Sequence, residues 1–422
     1  MRRLTTALAC AALLGTPAAA GADWTTYSGS ATRAGVAHGA PANPGLRRRF
    51  ARTVDGQIYA QPLIAGGRIY VATENNSVYA FSSSGKQLWR RHLGAPVDGG
   101  SLPCGNIDPS GITGTPVIAH GRLFAVAFLG AGKRHVLFGL SLRRNGRIVV
   151  RRNVDPPNRE VHQERAALTA VHGRIYVPYG GLAGDCGPFR GRIVSVTEGG
   201  HRRISFKTPA TEAGIWTPGG LSAQSGTLLA ATGNGGSGPF GYQNSVIRLS
   251  LRLHRLGFWA PANWASLSAS DADINSIQPL PVSGGLVFQI GKTGIGWLLR
   301  HSLGGVGKEL FSARVCGGAA FGADAFRAPL AIVPCGGSLY GLRIEGNRFT
   351  RAWTASGGRV PVIAGNSVYA LTGGGLNQIR LSDGHLLAHA EVAGGDTSFP
   401  GLAIDGRTLV APAGRGIVVF RI

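Results

Sequence analysis

The chain has 422 residues, 67 of them glycine, with 44% hydrophobic and 15% charged residues and a formal charge of +23. Past the N-terminus no stretch approaches the ~20 apolar residues a spanning helix requires, and no helical period persists, which argues against a membrane span or a helix bundle. The positive charge is almost all arginine, the lysines being Lys86, Lys133, Lys207, Lys292 and Lys308. It is dispersed along the chain, with small clusters at Arg47-Arg48-Arg49, Arg143-Arg144 and Arg151-Arg152. Dispersion speaks against a specific nucleic-acid site and for a solvated, arginine-biased surface with a general attraction to anionic cell-wall or membrane surfaces.

The N-terminus reads as a secretory signal over residues 1–22: Arg2-Arg3, an apolar stretch from Leu4 to about Leu14, then small residues ending Ala18-Ala19-Ala20-Gly21-Ala22. Cleavage after Ala20 or Ala22 leaves Asp23-Trp24 near the mature start and predicts a secreted or extracytoplasmic protein. A lipoprotein reading would acylate Cys10, which lies close to the arginines in an imperfect context.

From about residue 60 a two-strand phrase repeats. Gly67-Arg68-Ile69-Tyr70-Val71 is followed by Val78-Tyr79-Ala80-Phe81, then by a turn at Gly85 and a closing Leu88-Trp89. The phrase returns at Gly121, Gly173, Gly226 and Gly285, in a more worn form from Pro329 to Leu342, and again at Gly365 and Gly406. The intervals of roughly 40 to 60 residues are the length of a four-stranded blade, and eight copies predict an all-β, eight-bladed propeller as a single domain over 23–422. Residues Trp24 to Arg49 are extra chain that can complete the last blade, closing the ring by pairing N- and C-terminal strands.

Without the signal four cysteines remain, Cys104, Cys186, Cys316 and Cys335, and three pairings are possible. Cys316 with Cys335 is favoured because their separation suits strands lying side by side, which leaves Cys104 with Cys186. There is no CxxCH, hence no covalent c-type haem, and no CxxC zinc pattern.

Four segments carry candidate chemistry. They are Asp185-Cys186-Gly187-Pro188-Phe189-Arg190-Gly191-Arg192; Gly214-Ile215-Trp216 with Thr232-Gly233-Asn234; Asp271-Ala272-Asp273-Ile274-Asn275-Ser276; and Gly291-Lys292-Thr293-Gly294-Ile295-Gly296-Trp297. Together with the repeat and their order, they resemble the propellers of pyrroloquinoline quinone (PQQ) dehydrogenases, most closely the branch that includes polyvinyl alcohol dehydrogenase. The resemblance implies an eight-bladed propeller of the quinoprotein type. It also implies Asp185 and Asn234 as Ca²⁺ ligands with Asp273, Trp216 stacked under the quinone, Asp273 as catalytic base and Lys292 as donor to the quinone carbonyls. Three departures stand against it: Asp185 replaces a glutamate, Ala272 a tryptophan, and Gly187 the second cysteine of the polymer-oxidising relatives.

On the residues alone, a flat cofactor wants an aromatic face and hard Ca²⁺ wants carboxylate and amide oxygens. Asp271 and Asp273, two apart on an extended segment, point to the same side, so proximity would raise one pKa and suit it to proton abstraction. Each position also has a structural reading as a turn or docking residue. A further loop, Cys104-Gly105-Asn106-Ile107-Asp108-Pro109 leading to Thr113, is expected at the channel mouth, with Asn106 and Asp108 facing the cofactor.

The resulting expectation is a dehydrogenase for a small-molecule or polymeric alcohol, using PQQ and Ca²⁺ and a separate electron acceptor. Its rival is a non-catalytic propeller whose loop face binds a protein or envelope partner.

Overall fold

The computed structural model describes residues 23–394 and 399–422; the expected signal peptide lies outside them. Among the described residues eight antiparallel sheets follow one another in chain order, each built as the repeat phrase predicts. In blade 1 the strands are Leu63–Ala65, Arg68–Ala72, Ser77–Ser82 and Gln87–His92, from the channel outward. The two central strands are buried along nearly their whole length because each is covered on both faces by neighbouring blades, whereas the outermost strand alternates and turns charges to solvent.

Later blades begin at the channel with Val117–Ala119, Thr169–Val171, Ser222–Gln224, Leu280–Val282, Ala325–Arg327, Arg359–Ala364 and Ala403–Asp405. In blade 8 the chain supplies three strands, and the fourth is Arg47–Thr53, antiparallel to Gly416–Arg421. The ring is therefore closed by its two ends, as expected.

The chain before Arg47 has a second role that the sequence did not announce. Trp24 bridges Ile64 of blade 1 through two backbone bonds, Thr25 accepts from Ile118 of blade 2, and Ala31 from Ala223 of blade 4. Ala34 accepts from Phe326 of blade 6, Gly35 from Ile363 of blade 7, and Val36–Ala37 then pairs with that same blade 7 strand in parallel. A segment bonded to the innermost strands of so many blades must lie in the channel, and it plugs it.

Arg33 anchors the plug. Fully buried, it donates from Nε to Leu221 O (3.2 Å), from Nη1 to Tyr27 O (3.1 Å) and Thr26 Oγ1, and from Nη2 to Leu168 O (3.1 Å) and Thr169 Oγ1 (2.7 Å). Its partners are all neutral oxygens, and burial pulls the guanidinium below the ordinary arginine range.

Both expected disulfides form, Cys104–Cys186 and Cys316–Cys335, each with Cα atoms 6.1 Å apart. The first ties the loop entering blade 2 to a blade 3 loop at the channel mouth.

Replacing Arg33 by Met removes five donated bonds while leaving their acceptors buried. The expected loss is about 3 kcal/mol of stability, read from urea unfolding followed by tryptophan fluorescence.

Candidate functional site

In every blade the loop between the second and third strands and the loop entering the next blade emerge on one face, so residues far apart in sequence meet there. Asp185 follows the second strand of blade 3 and Lys292 that of blade 5, while Trp216 and Asp273 sit on the loops entering blades 4 and 5. All four line one open cavity of about 680 Å³ of empty volume, together with Asp271, Arg165, Phe321 and Phe399.

The centre of the site is a lysine held between two carboxylates. Lys292 Nζ lies 2.7 Å from Asp271 Oδ1 and 2.6 Å from Asp273 Oδ2. Its backbone N–H also donates to Asp273 O at 2.8 Å, a close approach possible because residue 291 is glycine: a Cβ there would come within 2.3 Å of that oxygen. The remaining Asp273 oxygen accepts the Asn234 N–H at 2.7 Å. Gly233 makes room for it, since a Cβ at that position would stand 2.3 Å from Asp273 Oδ1 and 3.1 Å from Trp216 Nε1.

Buried amides set this segment in place. Asn244 donates to Asn234 Oδ1 (3.0 Å) and accepts from Ile274 N (3.0 Å), and Gln289 donates to Ile274 O (2.6 Å).

Electrostatics follow from burial and crowding. Burial lifts the Asp273 carboxyl above its ordinary value, against the opposing pull of Lys292 and the Asn234 N–H. Burial works to lower Lys292, but Asp273 and Asp271 together outweigh it and hold the ammonium above the usual lysine value. Asp185 is pushed up to about 6 by burial and then by the charges of Asp273, Glu212 and Asp271.

Asn234 joins the cluster from its edge, donating from Nδ2 to Asp271 Oδ1 at 2.7 Å. Asn106 lines a second, inner cavity with Tyr27 of the plug, Tyr59, Thr113 and Thr115, and accepts from Arg165 Nη2 at 3.1 Å. Arg165 and Phe399 border both cavities. Asp108 departs from the expectation: its carboxylate turns back to accept the Gly99 N–H at 2.9 Å, closing its own loop.

The donors do not fit Ca²⁺, which takes six to eight oxygens. Both Asp273 oxygens are engaged, Asp271 Oδ1 is shared by Lys292 and Asn234, and Asn234 Oδ1 is taken by Asn244. Among the described residues no group of three or more His, Cys, Asp or Glu is disposed to hold a metal. The ammonium of Lys292 neutralises the carboxylates that a calcium ion would need. A planar quinone would find aromatic surface in Trp216, Phe321 and Phe399, with Arg165 as the cation beside them.

Sequence reading missed the acids beneath the mouth. Glu74 and Glu164 are almost wholly buried; Glu74 Oε2 accepts from Gly111 N (2.6 Å) and Thr113 Oγ1 (3.1 Å), and Oε1 of each has no hydrogen-bond partner among the described residues. Burial pushes Glu74 up to about 7 and Glu164 well above the carboxylate range, the latter with help from Glu74. The available signal was position, since Glu74 lies two residues past the apolar strand ending at Ala72 in a chain with only 20 acids.

Comparison with known proteins agrees with this architecture. Residues 11–104 match the family model described as PQQ_2, outer membrane protein assembly factor BamB. No curated protein matches the sequence. Among solved structures, quinohemoprotein alcohol dehydrogenase ADHIIG from Pseudomonas putida HK5 superposes with TM-score 0.72 at 12% identity, over 95% of this chain and 80% of that one. The quinohemoprotein alcohol dehydrogenase of Comamonas testosteroni gives 0.72 at 14%, with the same coverage. BamB from Moraxella catarrhalis gives 0.61 at 12%, over 90% of this chain and all of its own. At such identities the likeness is one of fold.

An acid whose folded pKa exceeds its unfolded value binds more protons when folded, so its contribution is most favourable below the unfolded value and declines as pH rises through the folded one. For Glu74 that window runs from 4.5 to about 7. Glu74→Gln keeps an acceptor for Gly111 and Thr113 and should flatten the decline, gaining on the order of 3 kcal/mol over the native chain at pH 8 but not at pH 4. Urea midpoints at the two pH values read this directly.

Proposed function

Starting from an eight-bladed β-propeller whose residues 11–104 match the PQQ_2 model, we propose that the channel-mouth cavity is the working site and oxidises a small alcohol or polyol with PQQ as electron acceptor. The observation that carries this reading is the arrival of Asp273, Lys292 and Trp216 from separate loops at one cavity. Asp273, made more basic by burial, takes the hydroxyl proton of the substrate. Lys292 stabilises negative charge developing on an oxygen at the cavity centre, and Arg165 meets an anionic group at its inner edge. Trp216 provides an aromatic wall. Bound PQQ would supply the two-electron acceptor for the hydride leaving the alcohol carbon. The chain has no haem-attachment motif, so onward transfer requires a separate acceptor. Two disulfides suit an extracytoplasmic setting.

A second reading is favoured by one specific feature. Lys292 already satisfies the carboxylate pair, as expected of a propeller that keeps the fold as a binding scaffold for a protein or envelope polymer. The assembly-factor family model and the BamB structure supply precedents of the same architecture.

Titration with PQQ, in the presence and absence of Ca²⁺, separates the two. The oxidoreductase reading expects tryptophan quenching that needs no Ca²⁺ and dye-linked alcohol oxidation, with Asp273→Asn reducing turnover by roughly 10²-fold or more while quenching persists. Unchanged fluorescence and no turnover leave the scaffold.

A further inference from the structure

The fourth strands of the blades counted outward from the channel, from blade 8 through blade 7, read RRRFART, QLWRRH, RIVVRRN, ISFK, RLGFWA, FSAR, RFTRAWTAS and LLAHAE. Arginine or lysine stands in all but the last, and Glu391 is the single carboxylate among them. An exposed sheet edge must be guarded against pairing with another chain, and charge serves that purpose. Either sign would do, however, so protection leaves the near-absence of acids unexplained.

The excess is concentrated on one arc. The outer strands of blades 8, 1 and 2 hold nine arginines and no acid. They are continuous: Arg52 Nε donates to Gly85 O across blades 8 and 1 at 2.6 Å, and Gly146 of blade 2 packs against Trp89 and Arg91 of blade 1. Of these nine, only Arg90 is ion-paired among the described residues, with Asp55. Arg47, Arg48, Arg49, Arg147, Arg151 and Arg152 are all exposed.

We propose that this arc is a docking surface for a flexible phosphodiester polymer. Guanidinium groups bind phosphate oxygens in a two-pronged geometry that ammonium groups do not match, and the surface is built almost entirely of arginine. Shape selects among phosphate-bearing partners. The outer strands form the convex circumference of a ring, so a flat bilayer meets one blade at a time, and a stiff duplex, with a persistence length of about 50 nm, cannot follow the curve. A single flexible chain can run from blade to blade. This surface is separate from the channel mouth and does not depend on what binds there.

The test uses the folded chain and fluorescently labelled poly(glycerol phosphate). Binding should weaken linearly in log K against log salt. The triple variants Arg47→Gln/Arg48→Gln/Arg49→Gln and Arg147→Gln/Arg151→Gln/Arg152→Gln should each lower affinity roughly tenfold or more and reduce the salt slope by about 2. The charge-matched triple Arg343→Gln/Arg348→Gln/Arg351→Gln, on blade 6 away from the arc, should change little; circular dichroism and urea midpoints verify that all three variants fold. Equal loss in the blade 6 variant overturns the proposal in favour of general charge attraction. So do absence of binding, equal affinity for poly-glutamate of matched charge, or tighter binding to phosphatidylglycerol vesicles.

Discussion

A propeller leaves an unpaired backbone edge at the inside of every blade, and those edges converge where water is scarce. An unsatisfied N–H or C=O buried there would cost about as much as a lost hydrogen bond for each group. The segment from Trp24 to Ala37 resolves this by visiting the innermost strands in turn, with Arg33 distributing its donors among carbonyls and hydroxyls of blades 3 and 4 and of its own segment. Because the plug is followed closely by the strand that completes blade 8, channel filling and ring closure are parts of one short stretch of chain. The loops at the channel mouth can then be long and polar without being responsible for holding the ring together.

The character of the mouth is set by how its charges are balanced. Three aspartates crowd one cavity, and the structure meets the repulsion internally, with a lysine between two of them and the third pushed toward neutrality. A site balanced in this way leaves little uncompensated negative charge for a divalent ion. It offers a proton acceptor and a cation a few ångströms apart beside an aromatic wall, an arrangement that suits proton movement coupled to charge development on oxygen.

The ring was legible in the sequence because each second strand, as in Arg68–Ala72 or Thr408–Pro412, is buried on both faces and must repeat the same apolar run after a tight turn. The convergence of Asp185, Trp216, Asp273 and Lys292 was legible only through a family resemblance, since nothing local to those residues says that their loops share a cavity. The direction of the Lys292 side chain was not legible at all: it depends on the turn at Gly291 packing onto the Asp273 carbonyl, a contact between different loops. The plug was equally hidden, because its bonds run through irregular backbone to five separate strands and leave no period. Glu74 and Glu164 were passed over because isolated acids on loops are ordinarily solvated, whereas here both are buried against neighbouring loops.

The pairing of Arg47–Thr53 with Gly416–Arg421 also shapes how the molecule comes to be. Its partners stand some 370 residues apart, and forming such a contact early would incur a large loop-closure entropy. Each blade can collect its own local hairpins as it emerges, but the ring stays an open arc until the last strand has been made. Until then the edge of blade 8 and the walls of the channel lie bare. Assembly is therefore a single late event, in which an arc of preformed blades snaps shut around its own beginning.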